Sequence, residues 1–298
     1  MNRTRGWRGT AAFFLAAAIG LPAWAEMPAH GDGQGKLLLT GGTSSIDGVA
    51  GGGLTPWAVV GSYAADREIG ATAFVTRLKT QDYGLTTWGA ALGVYDRAEI
   101  SLSQQRFDAS AVGSSQPLRL DIVGLKLRVA GEAVLDADTW IPQIALGAEF
   151  KHLDPGPAVG SVLDAVGAHR EGVDLYASAT KLLLAQGLLL NGTLRATRAN
   201  QNGLLGFGAR GHDAYRLRPE MSLAWLLRKD FAAGVELRLK PDNLAFAGAA
   251  FREEAWKDLF LAWAPTKHFS LTLAYVDLGN LAGKPRQSGA YVSVQLAD

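Results

Sequence analysis

Between Tyr215 and Lys240 the chain alternates so regularly that a β-hairpin with one oily and one polar face is the structure it specifies. Tyr215, Leu217, Met221, Leu223, Trp225 and Leu227 share one parity, and after Lys229-Asp230 the pattern resumes with Phe231, Val235, Leu237 and Leu239. The other parity holds Arg216, Arg218, Glu220 and Ser222, then Glu236, Arg238 and Lys240. Successive side chains of a strand point to opposite faces, so hydrocarbon and charge are separated by one thickness of backbone.

The same period recurs along the chain. Ile144, Leu146, Ala148 and Phe150 alternate with Gln143, Gly147, Glu149 and Lys151; Phe269, Leu271, Leu273 and Tyr275 alternate with Ser270, Thr272 and Ala274. Fourteen strands are expected, at about 37–44, 54–64, 69–80, 83–95, 98–109, 117–131, 140–153, 171–185, 188–199, 214–228, 231–240, 255–264, 268–278 and 287–297, with twelve as the alternative count. Short links follow even strands and most long links follow odd ones, apart from a short link at Gln81-Asp82 and a looser one at 132–139. That asymmetry predicts an all-β fold, a transmembrane antiparallel up-and-down barrel with both termini on the periplasmic side. Near Ile122-Val123-Gly124 the apolar parity flips, which predicts a β-bulge at Gly124.

The N-terminus reads as an export leader. Arg3, Arg5 and Arg8 precede an apolar stretch from Ala11 to Leu21, and Ala23-Trp24-Ala25 has the form of a cleavage site. Cleavage after residue 25 leaves residues 26–298 as a single barrel, with the glycine-rich segment 41–53 as a loop or plug. Removing the leader's three arginines leaves 26 basic residues against 28 acidic ones, a net charge of −2, so nothing suggests nucleic-acid binding. Without cysteine there are no disulfides or thiolate metal sites, and a closed hydrogen-bonded wall is the expected source of stability.

Three stretches carry a resemblance to a known family: Gly35-Lys36-Leu37-Leu38-Leu39-Thr40-Gly41-Gly42, Gly51-Gly52-Gly53-Leu54-Thr55-Pro56-Trp57-Ala58, and the run from Trp256 to Gly279. They resemble an uncharacterised Gram-negative family, a domain of unknown function whose members are taken to be outer-membrane barrels. The resemblance covers nearly the whole mature chain and implies that fold, but no catalytic residue. The final Leu296-Ala297-Asp298 departs from the terminal aromatic of many such barrels.

Few residues suggest chemistry. The six glycines between Gly41 and Gly53 lack phosphate-loop spacing, since no glycine stands five residues before Gly35-Lys36. His152, His169, His212 and His268 are not spaced as metal ligands, and no GxSxG nucleophile motif occurs. No cofactor, metal or catalytic residue is therefore expected. Trp57, Trp88, Trp140, Trp225, Trp256, Trp263, Tyr63, Tyr95 and Tyr275 are expected to form interface girdles. The candidate functional residues are lumen-lining charges: Arg195, Arg216, Arg218, Glu220, Glu236 and Arg238.

The expected role is a passive, porin-like diffusion channel in the outer membrane, with membrane lipid and a small polar solute as partners. Two alternatives fit the same pattern. One is a transporter of hydrophobic compounds with an N-terminal plug; the other is a lipid hydrolase or a barrel with no transport role.

Overall fold

The computed structural model describes residues 36–65, 67–133 and 140–298; the expected leader lies outside them. Two short strands come first, β1 (Thr43–Ser44) and β2 (Ala50–Gly51), paired with each other and not with the wall. Twelve wall strands follow: β3 (Ile69–Thr80), β4 (Gly84–Val94), β5 (Ala98–Asp108), β6 (Leu118–Ala130), β7 (Gln143–Asp154) and β8 (Glu171–Leu183). The second half comprises β9 (Leu188–Thr197), β10 (Arg216–Arg228), β11 (Phe231–Arg238), β12 (Trp256–Thr266), β13 (Phe269–Asp277) and β14 (Ser288–Ala297). Each pairs antiparallel with its sequence neighbours, and β14 closes the barrel on β3 from Gly289↔Thr80 to Ala297↔Thr72.

The period of two determines the wall. Along β3 exposed and buried residues alternate without interruption, and Val75, Leu102, Leu125, Leu146, Leu194 and Leu259 are among the large apolar side chains left on the outside. A closed belt of this kind is suited to hydrocarbon, because every backbone polar group is satisfied within the wall. Tyr95, Trp140, Trp225, Trp263 and Tyr275 are exposed with it. Trp57 and Trp256 depart from the girdle expectation and point inward, 5% and 1% exposed.

The expected fourteen strands become twelve. Segments 37–44 and 54–64 are not wall strands, and the reason lies in their burial. Wall strands alternate, whereas every residue from Leu39 to Ser62 is buried, including Leu54, Val59 and Val60. This segment, the strap, is surrounded by the barrel. An eight-stranded barrel is about filled by its own side chains, while one of sixteen strands leaves a channel; at twelve, the strap supplies the missing volume.

The two ends differ. Links at 95–97, 184–187, 229–230 and 267–268 are short, and β3 begins and β14 ends on their side. The opposite end carries the loops 109–117, 155–170, 198–215, 239–255 and 278–287, including helix α1 (Gly156–Val166). These loops cap the mouth with an apolar core. Leu163, Leu204, Phe207, Leu244 and Leu281 pack there with Phe107, Leu120 and Trp256 from the wall and Ile46 and Leu54 from the strap.

The expected bulge at Gly124 is absent. β6 pairs with β5 in unbroken register from Leu118 to Leu127, and its one irregularity lies further on, between Arg128 and Ala130. The parity flip instead records a change of surroundings along a straight strand. At the mouth, Leu118, Leu120 and Ile122 face the inner apolar core while Arg119 and Asp121 face outward above the oily belt. Lower down, Val123, Leu125 and Leu127 face outward and Lys126 faces in.

Candidate functional site

The interior has three layers. Apolar residues fill the mouth, and a second apolar cluster lies toward the short turns, where Leu39, Trp57 and Val59 of the strap meet Leu182, Leu189, Phe260 and Ala264. Between them the strap crosses a band of charge.

The strap is a poor ladder partner: beyond the β1–β2 pair, a Gly51–Pro56 bridge and a few turn hydrogen bonds of its own, its peptide groups need other partners. Inward-facing side chains provide them. Glu99 accepts the amides of Ala50 (2.9 Å) and Gly61 (2.6 Å), and Lys126 donates to the carbonyls of Ala50 and Val59, both at 2.9 Å. Gln295 accepts the Ser44 amide at 2.6 Å, Thr180 the Ala58 amide at 2.8 Å, and Gln143 donates to the Ala58 carbonyl at 2.7 Å. Thr193 and Asn191 donate to the Pro56 carbonyl at 2.8 and 3.2 Å.

Glu236 holds the strap's turn. Its Oε2 accepts the Leu54 amide at 2.6 Å, and its Oε1 accepts the hydroxyls of Thr55 and Ser222, both at 2.6 Å. Trp57 Nε1 donates to the same Ser222 oxygen at 2.9 Å. A Cβ at Gly52 would lie 2.2 Å from Glu236 Oε1, so glycine there permits the approach. Across the β11–β12 pair, Asp258 faces Glu236.

The largest network centres on Asp47. Arg238 Nη1 donates to its Oδ2 at 2.7 Å, Asn202 Nδ2 to its Oδ1 at 2.7 Å, and Lys151 stands 3.6 Å away. Lys151 also contacts Asp174 (2.9 Å) and Glu149 (3.1 Å); Arg195 links Glu149 (2.7 Å) to Glu220 (2.5 Å), and Glu220 lies 3.3 Å from Arg238 Nε. Asn202 belongs to the β9–β10 loop, so a mouth loop and the strap meet on one set of wall charges. It has φ 61°, a left-handed conformation that asparagine tolerates better than most residues. Burial alone would raise the pKa of Asp47, but Arg238, Lys151 and Arg195 beside it hold its carboxyl well below the usual carboxylate range.

Of the six charges singled out in the sequence, Arg195, Glu220, Glu236 and Arg238 are buried in this band. Arg218 is half-buried and Arg216 exposed, because they lie on β10 beyond its pairing with β11, which starts at Glu220. Sequence reasoning did not single out Asp47, Glu99, Lys126, Glu149, Lys151, Asp174, Asn202 or Asp258. Glu149 and Lys151 lie on the polar parity of their strand and were within its reach; Asp47 and Asn202 lie in loops without a period. Among the described residues no group of three or more histidines and carboxylates is arranged to hold a metal.

Solved structures that the chain resembles include a KdgM porin in complex with disordered oligogalacturonate, with TM-score 0.49 and 11% identity over 76% of this chain and 98% of that one. The NanC porin aligns with TM-score 0.49 and 10% identity over 76% and 98% of the two chains. Outer membrane phospholipase A from Escherichia coli aligns with TM-score 0.44 and 11% identity over 79% and 94%. No curated protein matches the sequence. The model of the family described as "Protein of unknown function (DUF3034)" matches residues 40–295, and the chain belongs to that family.

Proposed function

We propose that this chain is a strap-gated outer-membrane barrel, a passive path for small polar solutes that opens when residues 39–62 leave the wall. Its long loops face the exterior and its short turns the periplasm. The observation that carries the reading is the chemistry of the strap's contact surface. A segment meant only to fill a lumen is held at least as well by hydrocarbon, since replacing buried ion pairs with apolar packing is often neutral or stabilising. Here the middle of the lumen is polar on both sides, and a wall of that kind can rehydrate when the strap moves. Hydrophobic cargo fits less well, because the apolar mouth is filled by its own side chains and leaves a void of about 10 Å³ beside Tyr83, Phe107 and Trp256, too small for more than a water molecule.

The released wall would filter by charge. Its middle band holds Glu99, Glu149, Asp174, Glu220, Glu236 and Asp258 against Lys126, Lys151, Arg195 and Arg238, an excess of two carboxylates that favours cations. Purified protein in a planar bilayer is expected to conduct rarely, and deletion of residues 43–61 is expected to give stepwise, cation-selective conductance. Glu236→Gln with Asp258→Asn in the deleted form should lower that selectivity. A silent deletion variant that still folds, shown by its altered migration on unheated detergent gels, would overturn the reading.

A further inference from the structure

The outer face of β3, β4 and β5 carries a cluster of cations at the mouth end of the wall. The register aligns Arg77 with Thr86, Thr86 with Arg106 and Arg106 with Arg119, a row of cross-strand neighbours over four strands, all on the outward parity. Other cations of this rim do have carboxylate partners: Arg119 with Asp121 and Asp154, Lys257 with Asp277, and Arg198 with Asp213 at 2.5 Å, whereas Arg216 and Arg218 on β10 stand, like this cluster, without one among the described residues. Arg77, Lys79 and Arg106 are in no salt bridge among the described residues. Arg77 donates to the Thr86 hydroxyl, and the Arg106 guanidinium stacks 4.9 Å from the centre of the Trp88 ring.

These groups surround a cleft. It has a volume of about 450 Å³, with Arg77, Thr86, Trp88, Arg106 and Asp108 on the wall side and the loop from Ser110 to Pro117 above. Asp108 is the single carboxylate lining the cleft, against Arg77, Arg106 and the neighbouring Lys79. Directly below, Val75, Leu92, Ile100 and Leu102 are exposed in the oily belt.

A net positive, hydroxyl-lined cleft at the upper edge of an apolar belt has the layout of an amphiphile: anion above, hydrocarbon below. We propose that it binds a phosphate-bearing lipid of the outer leaflet, with the phosphate held by Arg77, Lys79 and Arg106 and the acyl chains lying along β3–β5. Arginine suits the headgroup because its planar fork meets phosphate oxygens two at a time, and Trp88 sits at the depth where interfacial aromatics gather. The proposal rests on the outer-membrane orientation argued above but not on strap gating, so a barrel that fails to conduct could still bind the lipid.

Native mass spectrometry of the full chain, titrated with diphosphorylated lipid A in detergent, tests it. One lipid is expected to remain bound to the wild type. Affinity should fall roughly tenfold or more in the R77Q/K79Q/R106Q variant and several-fold in R106Q alone, which keeps the test usable if the triple variant does not fold. Arg97→Gln, which removes an exposed cation at the opposite end, should leave binding unchanged. Equal binding by the folded variants, equal binding of fully dephosphorylated lipid A, or complete displacement by an equal concentration of inorganic phosphate would each overturn the assignment.

Discussion

The strap meets two kinds of wall. At the mouth, Ile46 and Leu54 lie against Leu78, Phe107, Leu120 and Trp256 in a contact made of hydrocarbon. One turn away, Asp47 lies among Arg238, Lys151 and Asn202 in a contact made of charge. Apolar packing is non-directional and holds the strap in place whatever its small adjustments. The charged contact is directional and tolerates one register, yet it demands full pairing because each ion has lost its water. The mouth therefore supplies adhesion, while the charged band decides where the strap sits and how it can be released.

The comparison breaks hardest at Arg238. Its guanidinium contacts Asp47, Glu220, Asn202 and the Leu54 carbonyl at once, so Arg238→Met leaves two buried carboxylates short of a cation. A loss of about 3–5 kcal/mol is expected, read as a lower urea midpoint together with faster amide exchange from Ile46 to Leu54. The companion variant Arg238→Met with Asp47→Leu should recover part of it by removing one stranded charge. An unchanged exchange pattern in the single variant would show that the strap does not depend on the charged band.

The wall of this comparison was legible in the sequence and the strap was not, for a physical reason. From Ile69 onward each expected strand corresponds to a wall strand, because one lipid face and one inner face impose a period of two. Arg195, Glu220, Glu236 and Arg238 were found through that period. The stretch 54–64 was expected as a strand, but a segment buried on every side has no face to alternate. Pro56, whose carbonyl now accepts from Thr193, Asn191 and Ser178, was the local sign against a ladder strand. Asp47 carried no sign at all: a single carboxylate in a glycine-serine stretch acquires its role only when Arg238, 191 residues away, folds against it.

The apolar half of the comparison should yield a smaller and differently placed effect. Ile122 is 2% exposed and packs in the mouth, so Ile122→Val removes one methylene group from a filled core. A loss of about 0.5–1.5 kcal/mol is expected, seen in the urea midpoint. Exchange at Ile46 and Gly48 should stay at the wild-type rate, since a small defect in hydrocarbon does not alter the register set by charge. Faster exchange at those two amides would show that the layers are coupled, and the division of labour between them would fail.

The smallest effect, and the most discriminating one, concerns acid. The Asp47 carboxyl is held well below the usual carboxylate range by Arg238, Lys151 and Arg195, which outweigh its burial. A lowered folded-state pKa means that its contribution is fully present above the unfolded value, about 3.9, and is lost only as pH falls through the folded one. Between pH 7 and 5, exchange at Ile46 and Gly48, corrected for its intrinsic pH dependence, should therefore stay flat, with release beginning only below about pH 4. In Asp47→Asn that acid step should vanish, leaving a strap that is looser at every pH. A step centred near pH 6 in the wild type would place the controlling proton on another group and detach the charged band from the register it is argued to set.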